Sequence, residues 1–258
     1  MNLFLWIILV SLALDFLIDS LSDYLDIKHL NRELPREFQG VYDPQKYRKS
    51  QDYQKANSYF GLIQRSFWFL ITLFMILAGG FQVLDSWTRG VVTRGVLGES
   101  AIFRGLVFIG ALSLAKTIIS IPFSIYHTFV IEEKFGFNKT TLKTFFGDMI
   151  KGLFLSVILG GLVLSLILYF FEYTGSSAWI YGWIAITLFQ LGVSFLAPVF
   201  IMPLFNKFKP IEPGELRDAI EKYAHAQKFH LSGIFVMDGS KRSTKSNAFF
   251  TVLVISFW

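Results

Sequence analysis

The sequence predicts an all-α, multi-spanning membrane protein of about five transmembrane helices, followed by a small cytoplasmic α+β tail of one helix and a β-hairpin. Three observations carry this. Of 258 residues, 53% are hydrophobic and 17% charged, against roughly 25% charged and 45–50% apolar in ordinary soluble domains. The mean hydropathy is +0.50, and five long apolar stretches divide the charged ones. A water-soluble core of this size could not hold 29 Phe together with unbroken Leu, Ile and Val runs. The absence of cysteine excludes disulfides, a Cys-ligated zinc site, an iron–sulfur cluster and thiol nucleophiles among these residues.

A hydrocarbon core of ~30 Å requires about 20 mostly apolar helical residues. The candidate spans run approximately from Leu3 to Ile18, Ser66 to Leu84, Gly105 to Val130, Leu153 to Phe171 and Ser177 to Phe205. The first lacks the basic leader and small-residue cleavage site of a signal peptide, and Asp15 and Asp19 sit at its end, so it reads as a retained helix. The fifth is too long for one straight span, and Pro198 and Pro203 should kink or end it. Five crossings put the two termini on opposite sides.

Lys and Arg number eight between residues 20 and 65, four in the loop after span three and eight after residue 205, against Arg89, Arg94 and Arg104 on the alternate side. Basic loops stay cytoplasmic. The N-terminus is therefore expected outside, with the long loop 20–65 and the tail inside. This asymmetry accounts for the net charge of +5 and makes the lipid bilayer the expected partner. Nucleic acid is not expected, because acidic residues interleave with the basic ones where a binding stripe would carry one sign.

Outside the bilayer, Leu30, Leu34, Phe38 and Tyr42 recur at helical spacing and predict an interfacial helix in the first loop. In the tail, Pro213-Gly214 precedes a helix over 215–228, with Glu215 and Lys228 placed to suit the helix dipole. A strand-like run at 233–237, a turn at Asp238 to Lys241 and a second strand-like run over 248–258 complete a hairpin.

Few residues invite a chemical reading. Lys116 sits midway along span three, where a charge costs roughly 2.5–3.5 kcal/mol on insertion scales. Either it faces a water-filled cavity, or it snorkels or meets a structural partner such as Gln190 or a backbone carbonyl. His127 lies about three turns on, towards the cytoplasmic end, and a lone interfacial His reads as structural as readily as functional. A helical zinc-protease signature needs two His four apart with a Glu between them. The four His are His29, His127, His225 and His230; none are four apart and none precedes a Glu. His225 and His230 would point about 140° away from each other on an α-helix. No nucleophile elbow and no phosphate-cradling Gly-rich loop occurs. On physics alone Glu132-Glu133-Lys134 is a solvated helix end.

Three stretches carry a resemblance: Ile131 to Thr141 (IEEKFGFNKTT), Ile201 to Phe208 (IMPLFNKF), and Asp238 to Ser243 with Ser246 to Phe250 (DGSKRS and SNAFF). Jointly they resemble the type I CAAX prenyl proteases, integral-membrane zinc metalloendopeptidases, over nearly the whole chain. The resemblance implies a seven-helix barrel enclosing a large chamber, with cytoplasmic-facing chemistry. It also implies hydrolysis of a peptide bond beside a prenylated cysteine, or of unmodified membrane peptides. Asn247, Ala248 and Phe249 match the edge strand on which zincins lay an extended peptide, main chain to main chain. The segment from Glu132 to Thr141 would line the chamber entrance.

The family continues past such a strand to an HExxH helix and a third ligand, whereas here Thr251 is followed by Val-Leu-Val-Ile-Ser-Phe-Trp. Val252-Leu253-Val254 is what a Gly-Phe-Gly codon run reads one base late, so 252–258 is expected to be a frameshift product. Residues 1–205 then form the five-helix membrane domain, and 206–258 an incomplete start of the metalloprotease domain. No catalytic or metal-ligating residue is assigned. Zinc belongs to the full-length family and is not expected at a catalytic site here, and these residues are expected to be inactive alone. The alternatives are a non-enzymatic membrane binding or transport protein, or one half of a split protease. The expected location is the bacterial plasma membrane, or the endoplasmic reticulum for a eukaryotic chain.

Overall fold

The computed structural model describes residues 3–30, 33–35, 38–92 and 100–250. Five helices are long and apolar enough to cross a membrane: Leu3–His29, Pro44–Leu77, Ala101–Glu132, Leu142–Tyr173 and Gly175–Phe205. Most large apolar side chains on them stay exposed, among them Phe4, Phe74, Phe154 and Trp183. That is the surface expected when lipid rather than protein covers it.

Helix α1 (Leu3–His29) runs through the first span and on into the segment read as loop. The helix expected around Leu30 to Tyr42 does not form among its described residues; 31–32 and 36–37 lie outside them. Pro35 and Gly40, whose φ is +88°, break that register. The loop's helix begins later. Asp43 caps α2 (Pro44–Leu77), accepting the N–H of Gln45 at 2.7 Å and of Lys46 at 3.3 Å, with Pro44 at the first position. At 1.5 Å per residue its 34 residues span about 50 Å, so its first turns project beyond a ~30 Å core. It stops at Leu77, short of the expected Leu84. Gly79 takes φ +70°, a left-handed conformation only glycine adopts freely, and α3 (Gly80–Val92) follows.

Helix α4 (Ala101–Tyr126) contains Pro122 and passes into a π-helical turn, His127–Glu132. Span four is α5 (Leu142–Leu155), a π-helical turn at Ser156–Gly160, and α6 (Gly161–Tyr173). Span five is α7 (Ala178–Leu196), a π-helical turn at Ala197–Ile201 that contains Pro198, and the short α8 (Met202–Phe205), whose second residue is Pro203. Both prolines therefore act where the sequence places them.

The chain forms two compact units, one of residues 1–100 and 107–138, the other of 101–106 and 139–258. In the first, α1 packs on α2 through stacked Phe16 and Phe69, 4.3 Å between centroids. Arg65 reaches Asp23 at 2.5 Å and Asp19 at 3.5 Å. Phe60 and Phe67 of α2 meet Phe123 of α4. In the second, α6 turns through Gly175–Ser177 onto α7, where Phe170 stacks on Tyr181 at 5.6 Å.

The tail keeps its helix, α9 (Glu215–Ala226), and holds a two-stranded antiparallel sheet. Strand β2 (Phe235–Met237) pairs with β1 (Phe208–Pro210), with Phe208 opposite Met237 and Pro210 opposite Phe235. Lys245–Phe250 carry no strand, and 251–258, with the proposed frameshift, lie outside the described residues. After β2 the turn Gly239–Lys241 hands the chain to Arg242, which donates to Asp148.

Candidate functional site

In the second unit the end of span five is a cluster of orphan helix carbonyls, the negative pole of a helix dipole. Three cations meet it. Lys151 donates to the Leu204 carbonyl at 2.8 Å, Lys241 to that of Phe205 at 2.7 Å and Arg242 Nη2 to the same oxygen at 2.7 Å. Arg242 further donates to Asp148 Oδ2 of α5 at 2.6 Å and to Asn206 Oδ1 at 2.5 Å, and its carbonyl accepts from Lys139 N–H and Thr140 Oγ1. One guanidinium fork thus joins α5, the end of α8 and the tail. Asp238 accepts the Lys207 N–H at 2.8 Å and Lys241 at 3.0 Å. Burial raises its pKa, but the Lys207 N–H, the Lys241 ammonium and Arg242 outweigh that and hold it below the usual carboxylate range.

From this anchor the chain runs out through the expected substrate segment. Asn247, Ala248 and Phe249 are all exposed and outside any strand. The Asn247 Oδ1 accepts the Ala248 N–H at 2.9 Å, and Phe249 is 54% exposed. The three follow Arg242 by five to seven residues, in a stretch with no regular secondary structure. The motif singles out this segment in the sequence, but not its anchor. Arg242 and Asp148 lie 94 residues apart, and no local pattern links them.

In the first unit the π-helical turn decides the geometry. Residues five apart diverge by about 140° on an α-helix, but i→i+5 hydrogen bonding brings them back to one face. His127 Nε2 accordingly lies 4.0 Å from Glu132 Oε1 and 3.0 Å from Asn57 Oδ1 of α2, while the Tyr53 hydroxyl donates to Glu132. Tyr53 also meets the edges or faces of Phe135 and Phe137. Gly136, at φ +69°, turns the chain so that Phe137 N–H reaches the Glu132 carbonyl at 2.8 Å. Glu132, read as a solvated helix end, is instead tied in, its side chain 14% exposed. Beside this network lies an open cavity of about 490 Å³, with Asn57, Phe60, Gln64, Phe123, Ser124 and His127 among its lining. Lys116 sits further along α4, its ammonium 5.9 Å from the Trp68 ring of α2.

No three His, Asp or Glu side chains converge on a possible metal position among the described residues. His225 lies in the last turn of α9 and His230 follows the helix, both exposed, while His127 is engaged with Asn57. These residues do not fit a catalytic zinc, and no chemical step is assigned through one.

Residues 23–207 match the family described as CAAX prenyl protease N-terminal, five membrane helices. The chain belongs to the CAAX prenyl protease family. Within it, a CAAX prenyl protease 1 homolog of Arabidopsis thaliana is 38% identical over 231 residues, covering 88% of this chain and 54% of the relative. The probable CAAX prenyl protease 1 of Schizosaccharomyces pombe is 37% identical, covering 87% and 49%. The crystal structure of S. mikatae Ste24p aligns with a TM-score of 0.89 at 35% identity, over 99% of this chain and 60% of that one. The chain therefore spans about half the length of the curated relatives it matches. As a CAAX prenyl protease N-terminal region it is an integral, multi-pass membrane protein.

Proposed function

We propose that these residues form the membrane-embedded N-terminal part of a zinc metalloendopeptidase that cleaves prenylated or membrane-associated peptides. Residues 1–205 serve as its membrane domain and 206–258 open its peptidase domain. The observation that carries this reading is the family match across five spans, together with likeness to Ste24p over almost the whole chain. Asn247, Ala248 and Phe249 present the edge on which the peptide lies. Their support is the matched motif, their exposure and the rigid Arg242 anchor just before them. A main-chain edge outside any ladder is free to accept a strand.

Residues 1–258 carry no HExxH and so are inactive by themselves. A catalytic zinc lowers the pKa of its bound water to about 7 only when protein ligands hold it. Purified chain supplied with zinc is expected to leave a prenylated reporter peptide intact; zinc-dependent turnover would overturn this. With p-benzoylphenylalanine in place of Phe249, illumination is expected to cross-link a bound extended peptide, and the same probe at exposed Leu216 is not. Equal cross-linking at both positions removes the substrate-edge assignment. The distribution of Lys and Arg supports an outside N-terminus and a cytoplasmic tail. The plant and yeast origin of the relatives favours the endoplasmic reticulum over a bacterial plasma membrane.

A further inference from the structure

Every Ser, Thr and Lys of α4 falls on one face. Ser113, Lys116, Thr117, Ser120 and Ser124 occupy an arc of about 100° at 100° per residue, over a length of about 17 Å. The stripe begins at mid-span and runs into the 490 Å³ cavity, whose wall includes Ser124, His127 and Thr128. Across the groove, α2 supplies Gln64 to the same cavity and, one turn on, Trp68 to Lys116. Lys116 is exposed. Among the described residues no carboxylate lies within ion-pair distance of it, and its recorded neighbour is the Trp68 ring. An ammonium at this depth is stable only beside water or a counter-charge. Ile118, by contrast, is 56% exposed on the other side of the helix, where lipid suits it.

We propose that the α2–α4 groove is a binding site for a carboxylate carried on an apolar chain, with Lys116 pairing the carboxylate at mid-membrane depth. A single ammonium among neutral hydroxyls matches a monoanion. A phosphate would call for more charge or an arginine fork. Phe60 and Phe123 line the cavity with apolar surface, and the polar stripe's length of about 17 Å suits an extended chain better than a compact ion. The C-terminus of a hydrophobic peptide and a fatty acid both present this chemistry. The site rests on the first unit alone, so its failure and that of the Asn247–Phe249 reading are separate results.

The full chain in lipid nanodiscs is tested for retention of a free-acid Leu/Val tetrapeptide, its C-terminal amide, palmitate and palmitamide. The acid of at least one pair is expected to bind about tenfold or more tightly than its amide, the difference one charge-assisted hydrogen bond confers. Lys116→Met abolishes that preference and Lys116→Arg keeps it. Preference confined to the tetrapeptide pair identifies a peptide terminus, and preference confined to palmitate identifies a lipid-derived acid. Equal binding of acid and amide in both pairs, or a preference that survives Lys116→Met, overturns the proposal. The cysteine-free chain allows a check that requires no loss of Lys116. Ser120→Cys should react with a charged methanethiosulfonate while Ile118→Cys does not; an unreactive Ser120→Cys means the groove is dry and the proposal wrong.

Discussion

Arg242 is where a single substitution should be felt furthest. It makes hydrogen bonds of 2.6, 2.5 and 2.7 Å to Asp148, Asn206 and the Phe205 carbonyl, and it and Asp148 are each 25% exposed. Removing one partner of a fully buried ion pair costs about 3–5 kcal/mol, because the other charge is left uncompensated. A quarter exposure lets water take up part of that, while Asn206 Oδ1 loses its donor and the Phe205 carbonyl keeps only Lys241. Arg242→Ala should therefore cost about 2–3 kcal/mol, which is a fall of about 4–12 °C in Tm for a chain of this size. The assay is thermal unfolding of the detergent-solubilised chain, paired with limited proteolysis of the exposed segment after Ser243, which should be cut faster. Arg242→Lys, which keeps the charge but not the fork, should recover only part of the loss. A shift under about 1 °C for Arg242→Ala, or full recovery with Lys, would refute the view that fork geometry anchors the tail.

Tyr53→Phe removes the donor to a carboxylate that is 14% exposed and should cost about 1–3 kcal/mol, read by the same unfolding assay; no change would mean Glu132 is held without it. Arg65→Met breaks the pairs with Asp19 and Asp23, but Arg65 is 32% exposed, so about 1 kcal/mol or less is expected, shrinking as salt rises. Asp238 is held below its ordinary pKa, so its stabilisation is present above the ordinary carboxylate range and lost as pH falls through the lowered value. The Tm gap between the wild type and Asp238→Asn should be widest near neutrality and close below about pH 4; a gap that widens in acid would contradict this.

Composition and apolar run length determined by themselves that this chain is a membrane protein with five spans. A lipid-spanning helix satisfies its own backbone and needs only length and hydropathy to exist. Pro198 and Pro203 were legible for the same local reason: a missing N–H acts on its own helix wherever that helix goes. The segment Asn247–Phe249 was legible only as a motif, and most of the run expected to pair with β2 lies outside the described residues. A short continuous apolar run marks β2 as a strand, but only tertiary contacts paired it with β1. Tertiary structure alone decided that Glu132 is bound to Tyr53 and approached by His127, that Arg242 locks Asp148 to the end of span five, and that Lys116 lies beside Trp68. Those partners are separated by 5 to 94 residues, and a π-helical turn or a helix crossing sets their distances. Periodicity reports which way a side chain points from its own helix, and not what stands opposite.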